Sequence, residues 1–300
     1  MNDPGPGTDD PHPPPLVPLP PTLAAPGQNG AGPLPPPAPA PAPHRLRCGI
    51  AGILLASYVV IPAIVGAQRT GHEGPMLPTV IRDLLLATGT ELGMFGLVFA
   101  AVVWLGKLRP SDLWLGWRGG FWLIPRAAAW SIALRIGTGI ALGGTLIAWQ
   151  LISGTSPDSL LGSRPKVESM VAVEALSNPV YLILMLTLVS FVLAGLREEL
   201  WRAGMIALLG RSLPALFGGR YGPWIAIVPI ALLFGLAHTP QGWMGVMATA
   251  VLGLGLGAVM ILHRSLWDAV FAHGFFNATT FALLPWIAQK LPDLLRSAGG

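Results

Sequence analysis

PVYLILMLTLVSFVLAGLREELWRAG, residues 179–204, decides the class of this chain. Up to Leu196 the stretch is apolar and uncharged, and Arg197, Glu198, Glu199 and Arg202 then fall within six residues. A bilayer span takes about 20 consecutive apolar residues, so 179–197 reads as a transmembrane helix. Ionisable groups in such segments are costly in hydrocarbon, and they usually line a pathway, an ion site or an active site. Two further polar clusters interrupt apolar runs downstream, FGLAH at 234–238 and HGFFN at 273–277. Glu and His are the groups that activate water, so hydrolysis is the first chemistry suggested.

Composition carries the same reading to the whole chain. Of 300 residues, 52% are hydrophobic and 11% charged, with a mean hydropathy of +0.61. Soluble domains average about 25% charged residues. The expected fold is an all-α polytopic membrane protein with about eight transmembrane helices around an intramembrane cavity, because lipid tolerates no unpaired backbone or open sheet edge. A transmembrane barrel is disfavoured, since the apolar stretches are continuous rather than alternating. The net charge of +4 comes with Lys and Arg scattered between apolar runs. That is the pattern of cytoplasmic loops, not a nucleic-acid footprint. The single cysteine, Cys48, excludes an intramolecular disulfide and a Cys-rich metal site.

Residues 1–43 hold 17 of the 31 prolines. Segment 1–47 is therefore expected to be a disordered, Pro-rich cytoplasmic tail. A multi-helix transmembrane domain is expected over 48–290 and a short tail over 291–300. Spans are predicted near 49–68, 82–106, 122–149, 179–197, 223–239, 243–262 and 267–287, with 200–213 either extending its predecessor or forming its own helix. Arg45 and Arg47 ahead of the first span place the N-terminus in the cytoplasm. Lys107, Arg109 and Arg118, then Arg211 and Arg220, then His263 and Arg264 fall in inner loops on the same count. The loop at 150–178 is external and mixed, with Arg164 and Lys166 against Asp158, Glu168 and Glu174. The location expected is the plasma membrane.

Helical spacing suggests contacts within the clusters. Glu198 and Arg202 are four apart and can pair, while Glu199 points about 100° away. One carboxylate can thus be held by Arg while the other faces a cavity. Phe234 and His238 share a helical face, as do His273 and Asn277. Asn can donate to a developing oxyanion. Asp268 reads as structural, near a helix start where a carboxylate suits the dipole. Glu91 and Arg135, both mid-span, are predicted to pair as scaffold, the alternative being that Glu91 lines the cavity.

The order and spacing of the clusters, Glu-Glu then Arg, Phe-x-x-x-His, and His-x-x-x-Asn, resemble the CAAX protease and bacteriocin-processing (CPBP) family over about 180–285. The context SLWDAVFAHGFFN resembles that family's last motif. The first motif departs from the pattern, because two residues rather than three separate Glu199 from Arg202. Aligned on the Glu pair, Glu198 becomes the catalytic carboxylate. Aligned on Trp201 and Arg202, Arg197 stands where that acid belongs.

The resemblance implies an intramembrane glutamate-type endopeptidase acting on a membrane-anchored peptide or protein substrate of the prenylated CAAX or bacteriocin type. Glu198 or Glu199 with His238 would activate water, and His273 and Asn277 would stabilise the oxyanion. Arg202, with Phe234, would support the site. No cofactor is expected. Zinc is the competing mechanism, since two His and a Glu can ligate it, but no H-E-x-x-H stretch exists. A non-catalytic immunity or scaffolding member of the same fold, or a transporter, are the alternative functions.

Overall fold

The computed structural model describes residues 42–68, 75–117, 119–154, 165 and 167–298. The expected tail lies outside the described residues up to residue 41, as do Arg118 and, in the loop before residue 165, Asp158 and Arg164. The described residues hold seven longer helices: α1 (Ala42–Gln68), α2 (Ile81–Gly106), α3 (Leu123–Ser153), α4 (Pro179–Ser212), α5 (Gly222–Leu236), α6 (Gly242–His263) and α7 (Leu266–Ala298). A single turn, Pro214–Phe217, joins α4 to α5. The described residues contain no strand.

Among the described residues, six helices are long and apolar enough to cross a membrane, and α5 is shorter at 15 residues. At 1.5 Å per residue α5 is about 22 Å long, against a hydrocarbon core of about 30 Å. The span predicted at 223–239 is thus a shorter helix that stops at Leu236, two residues before His238. The ambiguous stretch 200–213 continues the helix before it, so α4 runs through from Pro179 to Ser212.

Local chemistry sets the helix ends. The Asn178 side chain caps α4 by accepting from the Val180 and Tyr181 amides at 3.0 and 3.3 Å, with Pro179 in the first turn. Helix α3 ends at Gly154 with φ 64°, a left-handed conformation that costs glycine no steric clash. Within α4, Met185–Leu196 is wound as a π-helix, and Ser190 Oγ donates to the Met185 carbonyl at 2.7 Å. Wider turns of this kind recur beside functional sites. The widened segment ends directly before the charged cluster.

Helix α4 lies at the centre, against α1, α2, α5 and α7. Trp201 anchors it to α1, donating from Nε1 to the Leu55 carbonyl at 2.9 Å. Small residues let helices approach closely, as in other membrane bundles. On α6, a Cβ at Gly253 would lie 3.0 Å from Phe234 Cδ1, and one at Gly257 would lie 2.8 Å from Ile227 Cγ2. This packing seats α5, and with it Phe234, against the site.

One end of the bundle is tied by polar contacts. Arg211 donates to the Gly106 and Lys107 carbonyls at 2.9 and 3.0 Å and pairs with Asp112 at 2.5 Å. The Leu266 amide reaches the Trp114 carbonyl at 3.0 Å, and Trp267 Nε1 reaches that of Leu115 at 2.8 Å. Asp268 is fully buried and paired with Arg126 at 2.7 Å, so it serves an ion pair between α3 and α7.

The predicted pair of Glu91 and Arg135 does not form. Glu91 turns to Arg197 and to Tyr58, whose hydroxyl donates to it at 2.6 Å. Arg135 turns to α7, where Nη2 donates to the Phe276 carbonyl at 2.6 Å. Opposite charges at membrane depth do find partners, but helix rotation decides which ones.

Candidate active site

The two carboxylates of the first cluster have different environments. The Glu199 side chain is 0% exposed and that of Glu198 is 15% exposed. Glu198 lines two adjoining cavities, of about 190 and 600 Å³, and Glu199 lines neither.

Glu199 is held from two sides. Its Oε2 meets Arg202, itself fully buried, in an i,i+3 ion pair, and its Oε1 lies 2.9 Å from His273 Nδ1. The pairing predicted from spacing, Glu198 with Arg202, is therefore replaced by Glu199 with Arg202. The reason is tertiary. Helix α7 brings His273 to the side of α4 that carries Glu199, and Arg202 stacks over the Phe234 ring at 4.8 Å. The guanidinium is thus drawn to the sealed side of the helix, where its cation–π contact lies.

Glu198 takes a different cation. Arg197 donates from Nη2 to Glu198 Oε1 at 2.8 Å and from Nη1 to Glu91 Oε1. Arg197 therefore bridges two carboxylates, both of which line the two cavities, and Tyr58 completes the group by bonding to Glu91. In the sequence Arg197 figures only as a residue displacing an acid in one alignment. Its signal was a cation placed directly before two carboxylates at the end of an apolar run. Tyr58 carries no sequence signal, being one aromatic residue in an apolar helix.

The imidazoles are oriented by their Nδ1 atoms. His238 Nδ1 lies 2.9 Å from the Phe234 carbonyl, which can only accept, so Nδ1 carries the proton and Nε2 is left open. His273 is arranged alike. Glu199, paired with Arg202, acts as acceptor for His273 Nδ1–H, and His273 Nε2 lies 3.8 Å from Glu198 Oε2. The Phe234 ring stands between them, with centroids 4.8 Å from the His238 ring and 6.3 Å from the His273 ring.

Glu198, Phe234, His238, His273 and Asn277 all line the larger cavity. Asn277 follows His273 by one turn of α7 and shares its face. Five of the seven residues named from the sequence thus meet at one cavity, and Glu199 and Arg202 form the buried support behind His273. Among the described residues, no three His, Cys, Asp or Glu side chains are grouped so as to hold a metal ion.

Long apolar helices with a carboxylate, two imidazoles and an amide around one cavity are the parts of a membrane-embedded hydrolytic site. Residues 179–279 match the family model of the type II CAAX prenyl endopeptidases, Rce1-like. No curated protein and no solved structure matches the chain.

Proposed function

We propose that Glu198 is the general base of an intramembrane endopeptidase and that His238 Nε2 holds the attacking water beside it. The observation that carries this reading is the division of the carboxylates: Glu198 faces the cavity with His238, His273 and Asn277, while Glu199 is sealed. Glu198 takes a proton from the water, and the water oxygen bonds to the scissile carbonyl carbon. Negative charge moves to the carbonyl oxygen, where the Asn277 amide is placed to donate, while His273, protonated at Nδ1, offers its Nε2 only as an acceptor. As the C–N bond breaks, Glu198 returns its proton to the leaving nitrogen, giving a carboxylic acid and an amine, between which the acid's proton then passes to leave a carboxylate and an ammonium. No covalent enzyme intermediate and no cofactor enter these steps.

The supporting residues act through the reacting ones. Arg202 and Glu199 fix the tautomer and tilt of His273, and Arg197 sets the direction of Glu198. The substrate is a membrane-anchored peptide or protein, and the family name points to prenylated CAAX ends. In this reading α5 completes a ring of helices around a cavity within the bilayer of the plasma membrane. The basic end of the bundle, with Lys107, Arg211 and the N-terminal start of α1, faces the cytoplasm.

The test is cleavage of a prenylated CAAX peptide by the purified chain in proteoliposomes. General-base catalysis contributes about 10²–10⁴-fold, so Glu198→Gln and His238→Ala should each remove at least a hundredfold. A wild type that cleaves nothing, or a Glu198→Gln variant that cleaves at the wild-type rate, overturns the reading.

A further inference from the structure

Arg135 differs from the other paired cations of the membrane domain. Arg126, Arg197, Arg202 and Arg211 each meet a carboxylate, and Arg135 meets none among the described residues. Its Nη2 donates to the Phe276 carbonyl, Thr279 Oγ1 and Thr280 Oγ1 at 2.6, 2.9 and 3.2 Å, and its guanidinium lies over the Phe276 ring at 4.3 Å. Both threonine hydroxyls spend their own protons on α7 carbonyls, Thr279 on Phe275 and Thr280 on Phe276. Their oxygens are thereby left to accept from the guanidinium, which fixes it in place. Nη1 and Nε have no hydrogen-bond partner among the described residues. A cation held at membrane depth without a countercharge is costly, and such residues face a bundle interior or cavity where they serve a ligand.

The cavity that Arg135 lines is the one lined by Glu198, His238, His273 and Asn277. From His273 to Thr280 is seven residues along α7, or about 10 Å of helix axis. An extended peptide covers that distance in about three residues at roughly 3.3 Å each. Between the two ends the cavity is lined by apolar side chains such as Leu193 and Leu252, which suits an apolar stretch of peptide.

We propose that Arg135 is a carboxylate subsite of the active-site cavity, binding the carboxylate of a substrate segment about three residues beyond the scissile bond. The inference rests on the endopeptidase reading for the identity of the ligand as a peptide. The carboxylate can come from the peptide's C-terminus or from an acidic side chain, and the test separates the two.

Three prenylated CAAX peptides serve as probes: the free acid, its C-terminal amide, and an amide whose last residue is Glu. Hydrogen bonds to charged groups are the stronger kind, so wild type should prefer the acid over the amide by about tenfold or more in kcat/KM. In Arg135→Met the ratio of acid to amide should fall to about one, and Arg135→Lys should recover part of it. If the Glu-ending amide is cleaved as well as the acid, a side-chain carboxylate is also read; if it behaves as the plain amide, the subsite takes the chain terminus. A wild type that cleaves acid and amide alike overturns the subsite. So does an Arg135→Met variant that is slower on both with an unchanged ratio, since that is the mark of a structural role. Binding of the same peptides to Glu198→Gln, with and without Arg135→Met, keeps the two readings apart. Tighter binding of the acid that needs Arg135, without cleavage by wild type, upholds the subsite and removes the endopeptidase. Equal binding of acid and amide removes the subsite whatever the cleavage result.

Discussion

Replacing Arg202 with Met tests the buried support of the site. Arg202 and Glu199 are both fully buried, and Glu199 has one further partner, His273 Nδ1 at 2.9 Å. The methionine removes the ion pair and the stacking over Phe234, and it leaves a carboxylate in a sealed site with a single hydrogen bond. Breaking a buried pair from one side costs about 3–5 kcal/mol. For a domain of this size each kcal/mol lowers the midpoint by about 2–4 °C. Thermal unfolding in detergent should therefore show a fall of about 10 °C for Arg202→Met. The double variant Glu199→Gln/Arg202→Met removes the orphaned charge and should recover part of that fall, giving a coupling of about 1–3 kcal/mol in a double-mutant cycle. Arg202→Lys keeps the charge but loses the planar stack and should lie between wild type and the methionine variant. A midpoint within 2 °C of wild type for Arg202→Met, by an order-of-magnitude reading of the same relation, would show that the pair carries no such energy. A double variant less stable than the single one would sink the claim that the orphaned carboxylate is the cause.

Removing the Asn277 amide should reduce kcat by about 10²–10³ with KM little changed, since an oxyanion donor acts in the transition state; a rise in KM alone would place Asn277 in substrate binding. Cleavage should be unaffected by 1,10-phenanthroline, and activity lost to the chelator and restored by zinc would replace the glutamate mechanism with a metal one. Gly257→Ala puts a Cβ 2.8 Å from Ile227 Cγ2. Overpacking of that kind costs about 1–3 kcal/mol, so the midpoint should fall by several degrees, and an unchanged midpoint would mean that the α5–α6 contact is slack. Tyr58→Phe removes the 2.6 Å bond to Glu91 but leaves both carboxylates of Arg197; a loss of about tenfold in kcat is expected from one hydrogen bond to a charged group, and a loss of about a thousandfold or more would make Tyr58 a reacting group.

What the sequence made legible was periodic or local. Apolar runs marked the membrane helices, and four-residue spacing put Phe234 with His238 and His273 with Asn277. The division of labour between Glu198 and Glu199 was not legible, because adjacent residues differ only in which neighbouring helix they face. Spacing favoured Glu198 with Arg202, yet His273 on α7 and Phe234 on α5 drew Glu199 and Arg202 together. Glu91 and Arg135 were misread for a related reason. Both lie mid-helix, and nothing in the order of residues tells how α2 and α3 are rotated about their axes. The length of α5 was overread because hydropathy continues through Leu236 and Ala237 while the backbone turns out of the helix.

The bridge made by Arg197 has an electrostatic consequence for turnover. Counted as ionised, Glu91, Glu198 and Glu199 carry three negative charges against two positive ones on Arg197 and Arg202. The resting cluster thus holds one surplus negative charge. When Glu198 accepts the proton of water, that surplus is transferred to the substrate oxygen and the remaining side chains balance. The proposed reaction relocates a charge already present in the bilayer and creates none, so its cost is one of separation over a few ångströms, not of solvation.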